Sequence, residues 1–229
     1  AVATELTAAF YKTFGKGEVL KTDSRTAEMC KLVENSSRDV SIAFANELSI
    51  LCDGLGIDVN ELIRFANRHP RVNILQPGCG VGGHCIAVDP WFIVAKDPKN
   101  ANLIRTAREV NNYKNRWVIE KVKNAALKYQ IENGRVARIA CMGLAFKPDI
   151  DDLRESPALA VAEALRDDKF DVFAVEPNIE SFKGLKLASV ADGVGDADIV
   201  VFLVKHRQFV SLNTQDKVVL DFCGATITA

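Results

Sequence analysis

A cysteine at the end of a glycine-rich run is the residue in this sequence best suited to covalent chemistry. Residues 78–85 read Gly-Cys-Gly-Val-Gly-Gly-His-Cys. Glycines let the backbone approach a ligand closely and adopt positive φ, and the backbone N–H groups of such a loop can stabilise a tetrahedral oxyanion. A thiol at the edge of the loop can be exposed, and a nearby cation or helix N-terminus would favour the reactive thiolate. The pattern therefore favours Cys85 as a nucleophile.

The neighbouring and remaining cysteines have a plainer interpretation. A free cysteine is usually a small buried hydrophobe, and Cys30, Cys52 and Cys141 lie in apolar helix or strand contexts. Cys79 interrupts the glycines, and we assign it no role. His84 adjoins the candidate nucleophile, but adjacent side chains in an extended loop usually point apart, so a Cys–His pair is disfavoured.

The same glycine run satisfies the pattern G-x-G-x-x-G, which is often a dinucleotide-binding fingerprint. The true fingerprint follows a buried strand and opens a helix, with an acidic residue further along the chain. Here Pro77 precedes the first glycine and Pro90 follows soon after the last. This context argues against a dinucleotide site in the loop.

Composition excludes several other classes of protein. The 229 residues are 48% hydrophobic and 26% charged, with a formal net charge of −1, so bulk charge indicates neither a nucleic-acid nor an anionic-membrane partner. No apolar run approaches the roughly 20 residues of a membrane span. Six cysteines without a C-x-x-C pair, and three histidines, argue against disulfides and a metal site and favour a reducing cytoplasm.

The elements that carry these residues change character halfway along the chain. The first half predicts helices at 25–52, 58–69 and 100–132, and another that starts at Asp89-Pro90. Asp23 or Ser24 would cap the first helix, and Gly54 and Gly56 would end it.

The second half alternates strands with a helix. Strands are predicted within 136–146, 170–175, 198–204 and 217–222, and a helix at 157–168. This order predicts a parallel sheet with right-handed crossovers. The fold class is therefore α/β, with a helical region followed by a small Rossmann-like parallel sheet. The chain opens as if a helix were already under way, without Met or a preceding strand, so we expect a fragment of a longer protein.

Three blocks of the sequence together resemble the UDP-glucose/GDP-mannose dehydrogenase family. They are TAEMCKLVENSSRDVSIAFANELS at 26–49, RHPRVNILQPGCGVGGHCIAVDPWFIV at 68–94 and GLAFKPDIDDLRESPA at 143–158. The residues of these blocks are most similar to those of the branch that oxidises UDP-N-acetyl-mannosamine. The resemblance implies a remnant of a missing NAD-binding domain at 1–22, a central helical dimerisation domain at 23–133 and a UDP-sugar-binding domain at 134–229.

The resemblance also implies a reaction in which a sugar alcohol becomes a carboxylate through two hydride transfers to NAD. Cys85 would attack the intermediate aldehyde to give a thiohemiacetal and then a thioester. Lys31 would stabilise oxyanions beside Asn35, one helical turn away on the same face. Asp89 would orient the hydrolytic water, although a helix cap is the plainer role for this residue.

Binding roles follow from the same resemblance. Arg71 would reach the UDP-sugar from the partner subunit of a homodimer, and Lys147, after the first strand of the UDP domain, would bind the substrate. Arg154 would contact the phosphates of NAD. The backbone of three glycines would approach the substrate: Gly80, Gly82 and Gly83. One departure concerns Asp221-Phe222-Cys223, where the family usually carries Arg or Lys in place of the cysteine.

Two other functions remain open on the sequence alone. The chain could be a catalytically silent UDP-binding and dimerisation module, because the NAD-binding domain is not in the sequence. It could instead be a Cys-dependent hydrolase, with distant His69 or His206 as the base. Within the dehydrogenase hypothesis, UDP-glucose and UDP-N-acetylglucosamine are alternative substrates.

Overall fold

The computed structural model describes residues 2–226. Residue 1, the first of the expected segment 1–22, lies outside the described residues. So do residues 227–229, the last of the expected segment 134–229. Five helices come first, and a four-stranded sheet with its own helices follows.

The helical part is built on two long helices. In chain order the helices are α1 Val2–Lys12, α2 Ser24–Leu55, α3 Val59–Ala66, α4 Asp89–Lys96 and α5 Asn102–Asn133. Asp23 caps α2 by accepting from the backbone N–H groups of Arg25 and Thr26. Gly56, at φ 67, ends the same helix, a left-handed conformation that glycine adopts without a steric penalty. Gly54 lies inside α2 rather than after it.

The second part is the predicted parallel sheet. Its elements are β1 Arg138–Met142, α6 Pro157–Asp167, β2 Asp171–Val175, α7 Val190–Asp196, β3 Ile199–Phe202 and β4 Val218–Asp221. The strand order is β2-β1-β3-β4 with every pairing parallel. The sheet therefore reverses its strand order between β1 and β3, the position where open α/β sheets form ligand crevices. The helix α7, rich in glycine and aspartate, was not predicted.

The long helix α5 belongs to both parts. In its first half Arg108, Asn111 and Lys114 bond to side chains of α2. In its second half Val118, Val122 and Ala126 join the core formed by β1, β3 and α6. A boundary at residue 133 would therefore place α5 in one domain although three of its seven buried residues pack in the core of the other. Within residues 2–226, no helix combines the length and apolarity needed to cross a bilayer.

Candidate active site

The proposed nucleophile lies at the end of the loop between α3 and α4. Cys85 is exposed. Its carbonyl accepts hydrogen bonds from the backbone N–H groups of Val88, at 3.0 Å, and Asp89, at 2.8 Å. This turn leads directly into α4, so the position of Cys85 is tied to the start of that helix. We call residues 76–88 the cysteine loop.

A side-chain hydrogen bond joins the start of α4 to α2. Asn35 Nδ2 donates to Asp89 Oδ2 at 2.5 Å, and both side chains are half-buried. Val88 occupies the N-cap position of α4 without a side-chain cap bond, and Asp89 is already helical. The expectation that Asp89 caps the helix was therefore wrong, because its carboxylate accepts from Asn35 instead.

Lys31 precedes Asn35 by one helical turn on α2. Its side chain is 66% exposed, and Nζ lies 3.5 Å from Glu34 Oε2. An exposed pair of this length restrains a lysine only weakly. Lys31 thus lies on the same face of α2 as Asn35, and its role towards an oxyanion stays a prediction.

Buried polar side chains between α2 and α5 support the loop, and the sequence patterns did not predict them. Arg108 Nη1 donates to Asp39 Oδ1 at 2.6 Å, and Asn111 Nδ2 donates to the same oxygen at 2.8 Å. Asn46 Nδ2 donates to Asn111 Oδ1 at 2.9 Å. Polar residues recurring on what should be the apolar faces of two long helices were the available signal.

The same network reaches the cysteine loop. The N–H of Gly78 donates to Asn46 Oδ1 at 2.9 Å. Asn115 Nδ2 donates to the carbonyl of Cys79 at 3.2 Å and to that of Pro157 at 2.8 Å. Asn115 therefore links the loop to the start of α6. We call this set of five side chains the helix-pair network: Asp39, Asn46, Arg108, Asn111 and Asn115.

The loop glycines are required by packing within the protein. Gly80 and Gly83 have φ of +141 and +84. A Cβ on Gly83 would lie 2.9 Å from the ring of Phe146, and one on Gly82 would overlap the carbonyl oxygen of Glu155 and approach Pro157 Cδ to 2.6 Å. These contacts show why side chains are excluded here. The substrate-binding role of Gly80, Gly82 and Gly83 stays a prediction.

The partner of these glycines is the loop between β1 and α6. Residues 143–156 form this β1–α6 loop, and the N–H of Gly83 donates to the carbonyl of Arg154 at 3.2 Å. Hydrogen bonds from Arg154 lower the pKa of Asp152 to about 2, with a smaller contribution from His84. The Asp152 carboxylate raises the pKa of Arg154, and Cys85 adds to that effect. The backbone of Arg154 is thus bonded to Gly83, two residues before Cys85.

Lys147 lies in the same loop, after the carboxyl end of β1. Its side chain is exposed, with Nζ 5.6 Å from the centroid of the Phe146 ring. Phe146 is the residue that packs under Gly83. The structure therefore brings the loops of Cys85 and Lys147 together through a phenylalanine and a glycine.

Arg71 lies elsewhere. It lines a groove of ≈ 570 Å³ between α2 and α5 that also contains Phe44, Val72 and Leu103. These three side chains are 54%, 36% and 69% exposed. The groove does not include Cys85 or the β1–α6 loop. Arg71 is thus placed on an exposed, largely apolar surface of the helical part.

Four of the five other cysteines are less exposed than Cys85. Cys52, Cys79 and Cys141 are buried, and burial raises the pKa of Cys79 and of Cys141 to about 12. Cys30 is exposed, so the prediction that it is buried was wrong. Every side chain between residues 24 and 35 of α2 is exposed or half-buried, so this end of the helix packs on no core. Within residues 2–226, no three His, Cys, Asp or Glu side chains cluster in a way that could hold a metal ion.

The geometry does not favour a Cys-dependent hydrolase. His206 is fully buried, and its Nε2 lies 3.0 Å from Glu176 Oε2. His69 accepts a hydrogen bond from the backbone of Arg71, and Arg71 lines the groove that excludes Cys85. Neither histidine is placed as a base for Cys85.

Comparison with known proteins identifies the family. The central domain of the UDP-glucose/GDP-mannose dehydrogenase family matches residues 25–113, and the UDP binding domain of the same family matches residues 140–226. The chain belongs to the UDP-glucose/GDP-mannose dehydrogenase family.

Individual relatives are similar over nearly all of this chain. It is 58% identical over 212 residues to UDP-N-acetyl-D-mannosamine dehydrogenase of Escherichia coli (strain K12), covering 89% of this chain and 50% of the relative. It is 52% identical over 229 residues to the NDP-N-acetyl-D-galactosaminuronic acid dehydrogenase of Ralstonia nicotianae, covering 96% and 53%. The solved UDP-D-ManNAc dehydrogenase from Pyrococcus horikoshii matches with a TM-score of 0.84 and 34% identity, covering 100% and 55%. The chain spans about half the length of these relatives.

Proposed function

We propose that this chain provides the nucleophilic cysteine and the UDP-binding part of an NAD-dependent dehydrogenase that oxidises UDP-N-acetyl-D-mannosamine to UDP-N-acetyl-D-mannosaminuronate. The observation that carries the proposal is the position of Cys85. It is exposed, its carbonyl accepts from the N–H of Asp89, whose carboxylate accepts from Asn35, and Gly83, two residues before it, donates to the carbonyl of Arg154. The named relatives support the choice of sugar.

In the proposed reaction the Cys85 thiolate attacks the aldehyde carbon of the half-oxidised sugar. The carbonyl electron pair moves to oxygen, and the resulting alkoxide is held by Lys31. Loss of hydride from the same carbon leaves a thioester on Cys85. Asp89 takes a proton from water as the water attacks the thioester carbon. The tetrahedral intermediate expels the Cys85 thiolate, and the acid product gives its proton to solvent to become the carboxylate.

NAD supplies the acceptor for both hydrides when it is bound. In this chain Arg154 fits a contact with its phosphates, because the side chain is 67% exposed and Asp152 orients it through Nε and Nη2. Nη1 has no hydrogen-bond partner among residues 2–226 and can donate to a phosphate oxygen.

The experiment is a stoichiometry measurement. An intact dehydrogenase that contains this chain should form two NADH for each UDP-N-acetyl-D-mannosamine consumed. Absence of NADH would refute the dehydrogenase function, and one NADH with release of free aldehyde would refute the role of Cys85. UDP-glucose, UDP-N-acetylglucosamine and an N-acetylgalactosamine nucleotide belong in the substrate panel, because one relative is named for the last sugar.

For the 229-residue chain by itself we propose UDP binding without turnover. Calorimetry with UDP should detect binding, and Lys147→Ala should weaken it by about tenfold through loss of a charged phosphate contact. Lys183→Ala is the matched control, because Lys183 is also an exposed lysine of the sheet part. Equal losses in both variants would contradict the role of Lys147, and steady NADH production by the chain alone would contradict the absence of turnover.

We also propose that the chain forms a homodimer through the groove that contains Arg71. The exposed apolar side chains Phe44 and Leu103 support this interface, since contiguous exposed apolar surface marks interaction sites. Light scattering should give twice the monomer mass, and Leu103→Asp should give monomers. Ile131→Asp is the control, because Ile131 is 84% exposed and does not line the groove.

A further inference from the structure

The β1–α6 loop is held in an unusual conformation. Asp149 and Glu155 have φ of 59 and 51, a left-handed region that residues other than glycine rarely adopt. Gly143, at φ +93, opens the loop where a Cβ would lie 2.5 Å from Val204 Cβ. Such strain persists only where the surrounding structure over-determines it, and it clusters at functional sites.

A buried carboxylate fixes the first part of this loop. Glu176 directly follows β2 and is 4% exposed. Its Oε2 accepts from the backbone N–H groups of Leu144 at 2.8 Å and Ala145 at 3.1 Å. Its Oε1 accepts from the backbone and the side chain of Asn178. Each of these partners is a donor, so the carboxylate is required in its ionised form.

His206, which follows β3, links Glu176 to the turn at Asp149. The N–H of Asp149 donates to His206 Nδ1 at 2.9 Å, so Nδ1 must be the unprotonated nitrogen of a neutral ring. The proton then lies on Nε2, which donates to Glu176 Oε2 at 3.0 Å. Glu176 therefore selects the tautomer that can anchor Asp149.

The side chain of Asp149 completes the connection. Oδ1 accepts from the backbone N–H of Arg207 at 3.0 Å, and Oδ2 lies 3.0 Å from Arg207 Nε. The strained Asp149 is thus held through its backbone N–H by His206 and through its carboxylate by Arg207. We call the set of Glu176, His206 and Asp149 the strand-end network.

We propose that Glu176 and His206 are positioning residues for UDP binding, because they hold the β1–α6 loop in the conformation that presents Lys147. This inference rests on the proposed UDP-binding function of the chain. Lys147 lies two residues before Asp149 and two after Ala145, so both anchors of the network flank it directly. A loop fixed before ligand arrives does not lose conformational entropy on binding.

Two substitutions of His206 separate the anchors. The amide of His206→Asn reaches the place of Nδ1, where its oxygen can accept from the N–H of Asp149. The amide of His206→Gln reaches the place of Nε2, where its NH₂ group can donate to Glu176. His206→Gln should therefore weaken UDP binding by about tenfold, the scale of one lost hydrogen bond, and His206→Asn should stay near wild type.

Calorimetry with UDP at a temperature where every variant is folded measures the affinity, and hydrogen exchange of the Asp149 amide measures the anchor. Weak binding and fast exchange in His206→Gln, with rescue of both in His206→Asn, support the proposal. Unchanged affinity in a folded His206→Gln overturns it, even if the melting temperature falls. If His206→Gln does not fold, Glu176→Gln makes the same test. Both oxygens of Glu176 accept from N–H donors, so the NH₂ group of the glutamine would face a donor and lose that hydrogen bond.

A failure of the proposed UDP-binding function can be distinguished from a failure of the positioning role of Glu176 and His206. A wild-type chain that does not bind UDP refutes the proposed function. The exchange rate at Asp149 then still decides whether His206 holds the loop, since that measurement needs no ligand. Unchanged exchange in His206→Gln overturns the inference by itself.

Discussion

The two loops that meet at Gly83 and Arg154 are supported in different ways. The cysteine loop is held mainly by side-chain amides of the helix-pair network, through Asn46 and Asn115. The β1–α6 loop is held by the ionisable strand-end network, through Glu176 and His206. Amide groups keep their hydrogen bonds at any pH, whereas carboxylates and imidazoles change theirs when they titrate. The comparison therefore predicts that acid loosens the β1–α6 loop and leaves the cysteine loop in place.

The largest effect is expected where the helix-pair network contains a buried ion pair. Asp39 is fully buried and Arg108 is 3% exposed, so Arg108→Met would leave an uncompensated carboxylate and destabilise the chain by about 3–5 kcal/mol. Urea unfolding measures the loss. Lys128→Met is the control, because Lys128 forms an exposed pair with Glu132 at 3.8 Å and should change stability by less than about 0.5 kcal/mol. Equal losses would show that the buried pair contributes no more than a surface pair.

A smaller effect is expected at the contact between the loops. Gly82→Ala would place a Cβ against Glu155 and Pro157, and overpacking of this kind destabilises by about 1–3 kcal/mol. UDP affinity should fall with it, because both loops must shift. Gly54→Ala is the opposite case. It lies within α2 with open space around its Cβ position, so it should stabilise by about 0.5–1 kcal/mol. Retained stability in Gly82→Ala would mean that the loops are not in tight contact.

The pH response follows from two buried carboxyl groups with opposite shifts. Burial by itself would raise the pKa of Glu176, but hydrogen bonds from His206 and the backbone lower it below 4.5 on balance. Its stabilising contribution is therefore present above pH 4.5 and is lost as the pH falls through the folded-state value. Burial raises the pKa of Asp39 despite Arg108. Protonation of Asp39 therefore favours the folded state, because it removes the free-energy cost of burying the charged carboxylate.

Hydrogen exchange between pH 6 and pH 3 tests this difference. After correction for intrinsic rates, the amides of Leu144 and Ala145, which donate to Glu176, should open as the pH falls below 4.5. The amide of Gly78, which donates to Asn46, should keep its protection over the same range. Simultaneous opening of both loops would show that they unfold as one unit and that their different supports are irrelevant.

The smallest effect on stability is expected at the nucleophile itself. Cys85 is exposed, so Cys85→Ser should change the free energy of unfolding by less than about 0.5 kcal/mol while removing the proposed chemistry. Cys79 is the internal control for thiol reactivity. Its pKa of about 12 leaves about one thiolate in 10⁴ at pH 8, so iodoacetamide should label Cys85 and spare Cys79 in the folded chain. Labelling of both at similar rates would contradict the burial of Cys79.

Local sequence patterns determined much of this protein. Apolar periodicity, the cap at Asp23 and the glycine at position 56 specified α2 within a few residues, because helix ends depend on nearby backbone groups. The alternation of strands and helices determined a parallel sheet, since only crossover connections can join parallel strands. The glycine run also indicated an exposed thiol at Cys85, because a loop with so few side chains leaves the residue at its edge open to solvent.

Tertiary contacts decided how these parts support each other. Asp39 and Arg108 are 69 positions apart, and Glu176 and His206 are 30 apart, so no local pattern relates them. Each would be assigned to solvent by its residue type, because an isolated buried charge is costly. Only the fold brings a partner within hydrogen-bond distance. Glu176 and His206 then hold the β1–α6 loop directly, and Asp39 with Arg108 holds Asn111, the partner of Asn46 under the cysteine loop.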